Sequence, residues 1–369
     1  MVSILIVILI LLCCYVIIYQ LWLLAVINKD IQTIRLVRTS SRPVSIVVCA
    51  RNELENLKVL MPLLLQQKYP SFEIVLVDDG SDDGTATLIQ QYPDLTYVRI
   101  PPEEKVGLGK KYALQKGIDA AKNEIILLTD ADCRPASVYW LTEMTNPLQD
   151  GKDIVLGISP YRTPHSLLGA LVAYETAQTA LQYTGYAIAG MPYMSVGRNV
   201  CYRKTLLQTK RWNAQELNIA SGDDDLMIQS LANGQNTTVC FSPSGYTYSK
   251  SAATFREWFR QKLRHYESGA LYQSKHQWLL GSVLIARTIA YLLFICIGIA
   301  GLISGDFPSL FWPVFGGYAL LLTITQGLLH NILSLNKYWP LALFFDFLYC
   351  IFTVVLGLLS RYKSTVNWK

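Results

Sequence analysis

Three groups of acidic residues carry most of the chemical potential of this 369-residue sequence. The first is Val77-Asp78-Asp79-Gly80-Ser81-Asp82-Asp83-Gly84-Thr85. Taken alone it reads as a turn leading into a helix cap, a role that Asp, Gly, Ser and Thr favour anyway. The second is Thr129-Asp130-Ala131-Asp132, which closes an apolar run. Two carboxylates at i and i+2, where a strand curls into a turn, can reach one divalent cation and the phosphates of a substrate. Mg2+ and Mn2+ prefer such hard oxygen ligands, although an isolated DxD is common by chance. The third is Gly222-Asp223-Asp224-Asp225-Leu226, at the start of a helix-patterned segment. One acid there can be a cap favoured by the helix dipole. Three in succession raise one another's pKa unless a cation or a proton intervenes. A general base is the functional reading of this cluster.

The elements that must position these acids are legible in the hydrophobic pattern. Val44–Ala50, Phe72–Val77, Thr96–Ile100 and Glu124–Thr129 read as strands. Between them Leu54–Gln66, Ala86–Gln91 and Gly109–Lys122 read as helices. That alternation predicts a parallel α/β sheet, whose ligands bind at the carboxyl ends of the strands. Each acidic cluster lies at such an end or just past it. Beyond Asp132 the pattern loosens: Ile154–Ile158 and Thr237–Phe241 resemble strands, Leu226–Ala232 a helix, and Ser166–Ala189 an apolar helix near a bilayer. Phe255–Tyr272 mixes Phe255, Trp258, Phe259 and Leu263 with Arg256, Arg260, Lys262 and Arg264, a composition suited to a helix at a membrane interface.

Charge sets the class. Only 16% of residues are charged, against roughly 25% in ordinary soluble domains. Met1 to Asn28 has no charged side chain, and Trp278 to Ser360 has only Arg287, Asp306, Lys337 and Asp346. The middle of the chain is nearly neutral, so the formal net charge of +5 is no argument for nucleic-acid binding. Val2–Ile27 is long enough to cross a hydrocarbon core of about 30 Å. It lacks a basic leader and a small-residue cleavage site, and reads as an uncleaved anchor. Lys29, Arg35, Arg38 and Arg42 follow it against a single Asp30, which by the positive-inside rule puts the middle domain in the cytoplasm. Three apolar stretches close the chain, Leu279–Ile303, Leu310–Leu329 and Leu341–Leu359. Four crossings would leave the basic tail outside, so either one C-terminal segment is re-entrant or interfacial or the tail breaks the rule. Arg287 and Asp346, inside apolar segments where charge is costly, either pair with each other or line an acceptor path. Eight cysteines, widely spaced or inside apolar segments and with no CxxC pair, suggest neither a zinc site nor a disulfide framework.

The ordered set of ARNE after the first strand, VDDGS after the second, GKK on a helix, TDAD and then GDDDL resembles the family 2 glycosyltransferases with the GT-A fold. The resemblance covers roughly 43–267. It implies an α/β, Rossmann-like GT-A domain at 43–254, between an N-terminal transmembrane anchor (1–28) with its basic linker (29–42) and an amphipathic interfacial helix (255–277). A C-terminal region with two or three transmembrane helices (278–360) and a basic tail (361–369) follow.

Residue roles follow from the same resemblance. Ala50, Arg51 and Glu53 belong to the nucleotide-binding loop. Asp79 meets the uracil side of a nucleotide sugar, with Asp78 beside it, and Lys110 lies near the nucleotide. Asp130, Ala131 and Asp132 form the DxD motif, with Asp132 the better ligand for Mg2+ or Mn2+. Asp223 matches the base that deprotonates the acceptor, with Asp224 as the fallback. Membrane synthases of this family carry QxxRW; here Gln261 and Arg264 are present and His265 replaces the Trp. Arg264 is thereby expected near the pyrophosphate and His265 on the acceptor side. Gly197-Arg198-Asn199 resembles the acceptor-side GxN segment, a buried Arg–acid pair being the plainer alternative.

The implied activity is inverting transfer of a sugar from a nucleotide-diphosphate sugar, a UDP-sugar by family habit, to a hydroxyl of a lipid or membrane-associated glycan. In a bacterial cell the membrane would be the inner one. A single transfer, similar to that of ceramide glucosyltransferase, suits the short membrane portion. A processive polysaccharide synthase, similar to cellulose or hyaluronan synthases, suits QxxR and several C-terminal helices. An inactive GT-A scaffold and a nucleotidyltransferase are the remaining alternatives.

Overall fold

The computed structural model describes residues 2–33, 42–107, 109–148 and 151–360. Most of the linker (34–41) and the basic tail (361–369) lie outside the described residues. The first helix, α1 (Val2–Thr33), is followed by β1 (Val44–Ala50), α2 (Leu54–Leu65), β2 (Phe72–Asp78), α3 (Thr85–Ile89), β3 (Thr96–Arg99), α4 (Lys111–Ala120) and β4 (Ile125–Asp130). Next come β5 (Arg134–Pro135), α5 (Trp140–Thr145), β6 (Ile154–Leu156), β7 (Tyr161–Arg162), α6 (Leu167–Ile188), β8 (Val200–Arg203), α7 (Lys204–Leu207) and α8 (Ala214–Leu217). The chain ends with α9 (Asp225–Leu231), β9 (Thr237–Val239), β10 (Thr247–Lys250), α10 (Phe255–Gly269), α11 (Ser274–Ser304), α12 (Phe311–Leu333) and α13 (Ala342–Leu359).

The main sheet has the order β3-β2-β1-β4-β8-β6-β9. β1 is central because all seven of its residues, VSIVVCA, tolerate burial on both faces; it pairs in parallel with β2 and β4. The sheet is mixed, not wholly parallel, since β8 runs antiparallel to both β4 and β6. β8 is the strand the sequence pattern did not announce: its four residues, VCYR, are too few to show a period. A small second sheet, β5-β10-β7, stands beside the main one.

Each face of the main sheet has its own apolar layer. On one, Leu57, Leu60, Met61 and Leu64 of α2 and Trp140 of α5 cover Ile46, Val48, Ile74 and Leu76. On the other, α4 comes so close that a side chain on Gly117 would collide with Val47 and Val77. That second layer continues without a break through Tyr183 and Tyr186 of α6 into Tyr19, Leu23 and Ile27 of α1 and Leu329 and Leu333 of α12. The α/β domain and the long apolar helices therefore share one core.

α1, α11, α12 and α13 are long and apolar enough to cross a membrane. Their outward residues are large and apolar at helical spacing, among them Ile4, Leu11 and Ile18, then Ile295, Ile299 and Leu302, then Leu320 and Ile324. Such faces suit lipid contact. The inward residues are partly polar. Gln20 accepts from Thr325 (2.9 Å) and Gln326 (3.0 Å). Arg287 and Asp346 pair, as one of the two readings expected, at 3.3 Å. The expected α6 spans Leu167–Ile188, with Ser166 as its N-cap accepting from the Gly169 amide at 3.0 Å.

Candidate active site

Sheet register brings the acidic loops together. Ala50 is level with Asp78, and Cys49 with Asp130, so the loops after β1, β2 and β4 leave the sheet along one edge. Because β8 is antiparallel and Val200 lies opposite Leu128, Gly197 and Arg198 reach that edge from the other direction.

Lys110 joins two of the three acidic clusters. Its ammonium lies 2.7 Å from Asp130 and 3.1 Å from Asp223. Burial disfavours its charge, but the two carboxylates outweigh that and hold the amine well above the usual lysine range. Gly109 gives the chain the turn before it at φ +73°, and any side chain there would strike the Ala220 carbonyl. Lys111, next in sequence and 1% exposed, turns the other way and donates to the Ile219 (2.9 Å) and Ser221 (2.6 Å) carbonyls. The GKK stretch thus holds the GDDDL loop by both its backbone and its side chains. Sequence reading took one of these lysines and missed the other.

The three consecutive aspartates have three different tasks. Asp224 accepts the Gly197 amide at 2.8 Å and the Asp225 amide at 2.9 Å, fixing the GRN turn to the start of α9. Asp225 accepts from Ser268 (3.1 Å) and Tyr272 (2.5 Å), which ties α9 to α10 and the turn after it. Burial, then the neighbouring carboxylate, pushes both of these acids up. Burial would raise Asp223 as well, but Lys110 and Lys111 outweigh it and hold Asp223 below the usual carboxylate range. Asp223 alone of the three is kept ionised by cations rather than held by hydrogen bonds to the fold.

In the DxD motif, Asp130 is neutralised by Lys110, whereas among the described residues no Lys, Arg or His forms an ion pair with Asp132. Burial and then the Asp130 charge raise Asp132 above the usual carboxylate range. Arg134, which sequence reading passed over, pins this turn by donating to Asn56 of α2 at 3.0 Å and to the Ala131 and Cys133 carbonyls.

A continuous cavity of about 840 Å³ opens on these groups. Arg51, Glu53, Lys110, Asp130, Ala131 and Asp132 line one end, and Gly197, Arg198, Asp223 and Asp224 line the middle. Gln261, Arg264 and His265 of α10 face it from the opposite wall. Tyr161 links the two walls: its hydroxyl stands 3.3 Å from Gln261 Nε2 and 3.2 Å from Arg198 Nη1, and its ring stacks under the Arg198 guanidinium at 4.5 Å. Nothing in the sequence signalled this tyrosine. Arg264 is anchored through its carbonyl, which accepts from Ser221 at 2.7 Å. Surrounding protein, then Lys262 and Arg264, hold His265 well below the usual histidine range, so it is neutral.

Four expected site residues stand outside the cavity. Ala50 contributes only its carbonyl, which accepts the Asp79 amide at 2.9 Å. Asp78 has no exposed surface and accepts from the Ser81 amide (2.8 Å) and the Tyr97 hydroxyl (2.6 Å), so it builds the turn. Asp79 is also buried and pairs with Lys105. Asn199 is fully buried, accepts from Trp140 Nε1 at 3.0 Å, and donates to the Ile158 and Gly245 carbonyls at 2.9 Å each. It joins the start of β8 to α5 and to the segments that carry Ile158 and Gly245, away from the cavity lining. Its Arg198 neighbour is held by Ser159 and Tyr161 rather than by an acid. Asn199→Ala is expected to destabilise the protein by about 3 kcal/mol, because two carbonyls and an indole N–H lose their partners inside the core. The check is the unfolding midpoint in detergent. An unchanged midpoint with selective loss of acceptor use would restore the acceptor role.

Family models and known structures agree with this architecture. The model described as "Glycosyl transferase family 2" matches residues 45–192, and "Glycosyl transferase family group 2" matches 125–360. The chain is 24% identical over 224 residues to a chondroitin synthase of Pasteurella multocida, covering 59% of this chain and 20% of that protein. It is 24% identical over 234 residues to the probable glycosyltransferase YdaM of Bacillus subtilis, covering 60% and 54%. It is 29% identical over 140 residues to a poly-β-1,6-N-acetyl-D-glucosamine synthase of Staphylococcus epidermidis, covering 36% and 32%. The chain therefore spans between a fifth and about half of these relatives. Among solved structures, the mannosyltransferase PcManGT of Pyrobaculum calidifontis, in complex with GDP-Man and Mn2+, aligns over 96% of this chain and 99% of its own, with a TM-score of 0.64 at 17% identity. That likeness extends the GT-A-like fold to the apolar helices on both sides. The chain belongs to glycosyl transferase family 2, with its α/β GT-A-like domain built into a set of long apolar helices.

Proposed function

We propose that this protein transfers one sugar, with inversion, from a nucleoside diphosphate sugar, a UDP-sugar by family habit, to a hydroxyl of an acceptor held at the membrane. The observation that carries this reading is the cavity: it runs unbroken from Asp130 and Asp132 to Arg287 of α11 and Thr353 and Gly357 of α13. A cleft serving only soluble substrates has no need to continue between apolar helices.

Asp132, with Asp130, fits a divalent cation. Both are hard oxygen donors facing the cavity, and the charge of Asp132 is unpaired among the described residues. Among those residues no three acidic, His or Cys side chains converge, so the remaining ligands would come from a diphosphate and water. A bound Mg2+ or Mn2+ would supply Lewis-acid stabilisation of the departing nucleoside diphosphate. Lys110 and Arg264 add positive charge on the leaving-group side. Asp223, ionised and oriented by Lys110, takes the proton of the acceptor hydroxyl as its oxygen bonds to the anomeric carbon. The bond from that carbon to the diphosphate oxygen breaks, and the electron pair leaves with the nucleoside diphosphate. One displacement with a separate base inverts the centre. Arg51 and Glu53, at the same end as the DxD motif, are placed to meet the nucleoside.

Lys29 and Arg42 flank the exit of α1 toward the catalytic domain, which favours a cytoplasmic domain. α13 packs on α6 and α10 as well as on α11 and α12, with Phe345 stacked on Tyr174 and Phe352 against Trp258. Such contacts favour a helix laid along the membrane face and three crossings by α1, α11 and α12. With three, the basic tail returns to the side of the catalytic domain, in accord with the positive-inside rule.

The test is the purified full chain in detergent with Mn2+, a panel of radiolabelled UDP- and GDP-sugars and a lipid extract. The expected product is a glycolipid carrying one sugar of inverted configuration, with nucleoside diphosphate released. A ladder of longer products would establish the polysaccharide synthase instead, and release of inorganic pyrophosphate a nucleotidyltransferase.

A further inference from the structure

The two ends of the cavity differ in sign. At the sheet edge six carboxylates (Glu53, Asp130, Asp132 and the three GDDDL aspartates) outnumber Arg51, Lys110 and Arg198, whereas beyond Arg264 the α10 and α11 walls contribute Lys262 and Arg287. On the membrane side the one lining carboxylate among the described residues is Glu175 of α6, and Lys262 occupies it at 2.7 Å.

Arg287 is 3% exposed and lines the cavity, yet its Nε has no hydrogen-bond partner among the described residues. Its ion-pair partner does not need it for hydrogen bonding. Asp346 already accepts the hydroxyls of Tyr174 at 2.6 Å and Tyr291 at 2.7 Å, while the Arg287 contact is the longer one at 3.3 Å. A helix staple alone would leave no reason for a guanidinium, with its forked donors, to face a cavity. An ionisable side chain retained inside an apolar segment points to function.

The walls beside it are open. Gly281 of α11 and Gly357 of α13 both line the cavity, and a side chain on either would meet nothing within 4 Å. On the outer surfaces next to them, Ile285, Leu358 and Leu359 are exposed and apolar. The arrangement is a polar chamber with an apolar rim, matching an amphiphile whose head is anionic.

We propose that the membrane-side half of the cavity binds the acceptor as a lipid with a phosphate in its headgroup, the phosphate on Arg287 and the hydrocarbon leaving between α11 and α13 past Gly281 and Gly357. The assignment of this lipid as acceptor rests on the transfer reading above; the binding site itself does not. The test uses the full chain in detergent and a phosphatidic acid with a photo-crosslinking acyl chain. Its controls are a diacylglycerol with the same chains, inorganic phosphate as competitor, and nucleotide-sugar binding as a separate readout. The phosphatidic acid is expected to label α11 and α13 peptides about tenfold more than the diacylglycerol, the scale of one hydrogen bond to a charged group. Millimolar inorganic phosphate should not displace it. Arg287→Lys keeps a cation beside Asp346 but loses the fork, and should cut labelling about tenfold with nucleotide-sugar binding intact. Gly281→Trp, built into open space, should do the same by blocking the mouth, and carries the test should the Arg287 variant fail to fold. Equal labelling by both lipids, displacement by free phosphate, or undiminished labelling of the Gly281 variant would overturn the site. Lipid labelling by a wild-type protein that holds no nucleotide sugar would fault the transfer reading and leave this site standing.

Discussion

Asp223→Asn is expected to lower kcat by about a thousandfold, within the range for loss of a general base, while the nucleotide-sugar Kd changes less than about threefold. Availability distinguishes the three aspartates. Asp224 is taken up by the amides of Gly197 and Asp225, and Asp225 by Ser268 and Tyr272, so neither can accept an acceptor proton without releasing a tether. Asp223 lies beside Lys110 and Lys111, whose charges outweigh burial and hold it ionised. The carboxamide introduced by the substitution would occupy the same volume beside Lys110 without a charge to receive the proton. The same pairing fixes the pH profile. Because Lys110 depresses Asp223, the wild-type acid limb should lie below the ordinary carboxylate range, and turnover should stay flat from neutral pH down to it. Lys110→Met removes the cation, so the limb should move up in pH, the opposite of what loss of a mere binding group would give. Turnover of the Asp223 variant within about a tenth of wild type would move the base to another residue.

The residues that made the fold legible are those whose environment has two apolar sides. Val44–Ala50 and Ile125–Leu128 are buried almost throughout on both faces, so their sequence is apolar apart from Ser45 and their strand character shows without a partner. β8 escaped notice because four residues show no period, yet its antiparallel direction is what carries Gly197 and Arg198 to the acidic edge. A strand's direction is set by tertiary pairing and leaves no local mark.

Neighbouring acids are harder to tell apart than clusters are to find. Asp78 and Asp79 are chemically identical in the sequence. Only the fold shows that the first builds a turn with Ser81 and Tyr97 and the second pairs with Lys105. Asp83, in the same run, bonds the Leu54 amide at 2.8 Å and the Thr85 hydroxyl at 2.6 Å, so the helix-cap reading of the cluster was right for part of it. Asn199 poses a related difficulty: a Gly-Arg-Asn turn facing a substrate and one holding a core share the same letters. The difference lies in Trp140, Ile158 and Gly245, all distant in sequence.

Removing divalent cations is expected to abolish transfer, and among single substitutions Asp132→Asn should weaken Mn2+ binding most, by about a hundredfold. The two acids of the DxD motif are not equivalent. Asp130 already has a countercharge, Lys110 at 2.7 Å, and lies a third exposed, at 35% of its side chain. Asp132 is the more solvent-exposed of the two, has no ion-pair partner among the described residues, and is raised by the surrounding protein and then by Asp130. A carboxylate that lacks a countercharge and stands beside a second acid gains most from a cation. Asp130→Asn should therefore cost Mn2+ affinity less, since Lys110 already neutralises much of the Asp130 charge, and should instead disturb Asp223 through the shared lysine. Titration of Mn2+ by electron paramagnetic resonance, with and without a nucleoside diphosphate, separates the two. The nucleotide should tighten Mn2+ binding in the wild type, because protein carboxylates alone leave the coordination sphere incomplete. An Asp130 variant that loses more Mn2+ affinity than the Asp132 variant would reverse the assignment, and undiminished transfer after chelation would remove the cation from the reaction altogether.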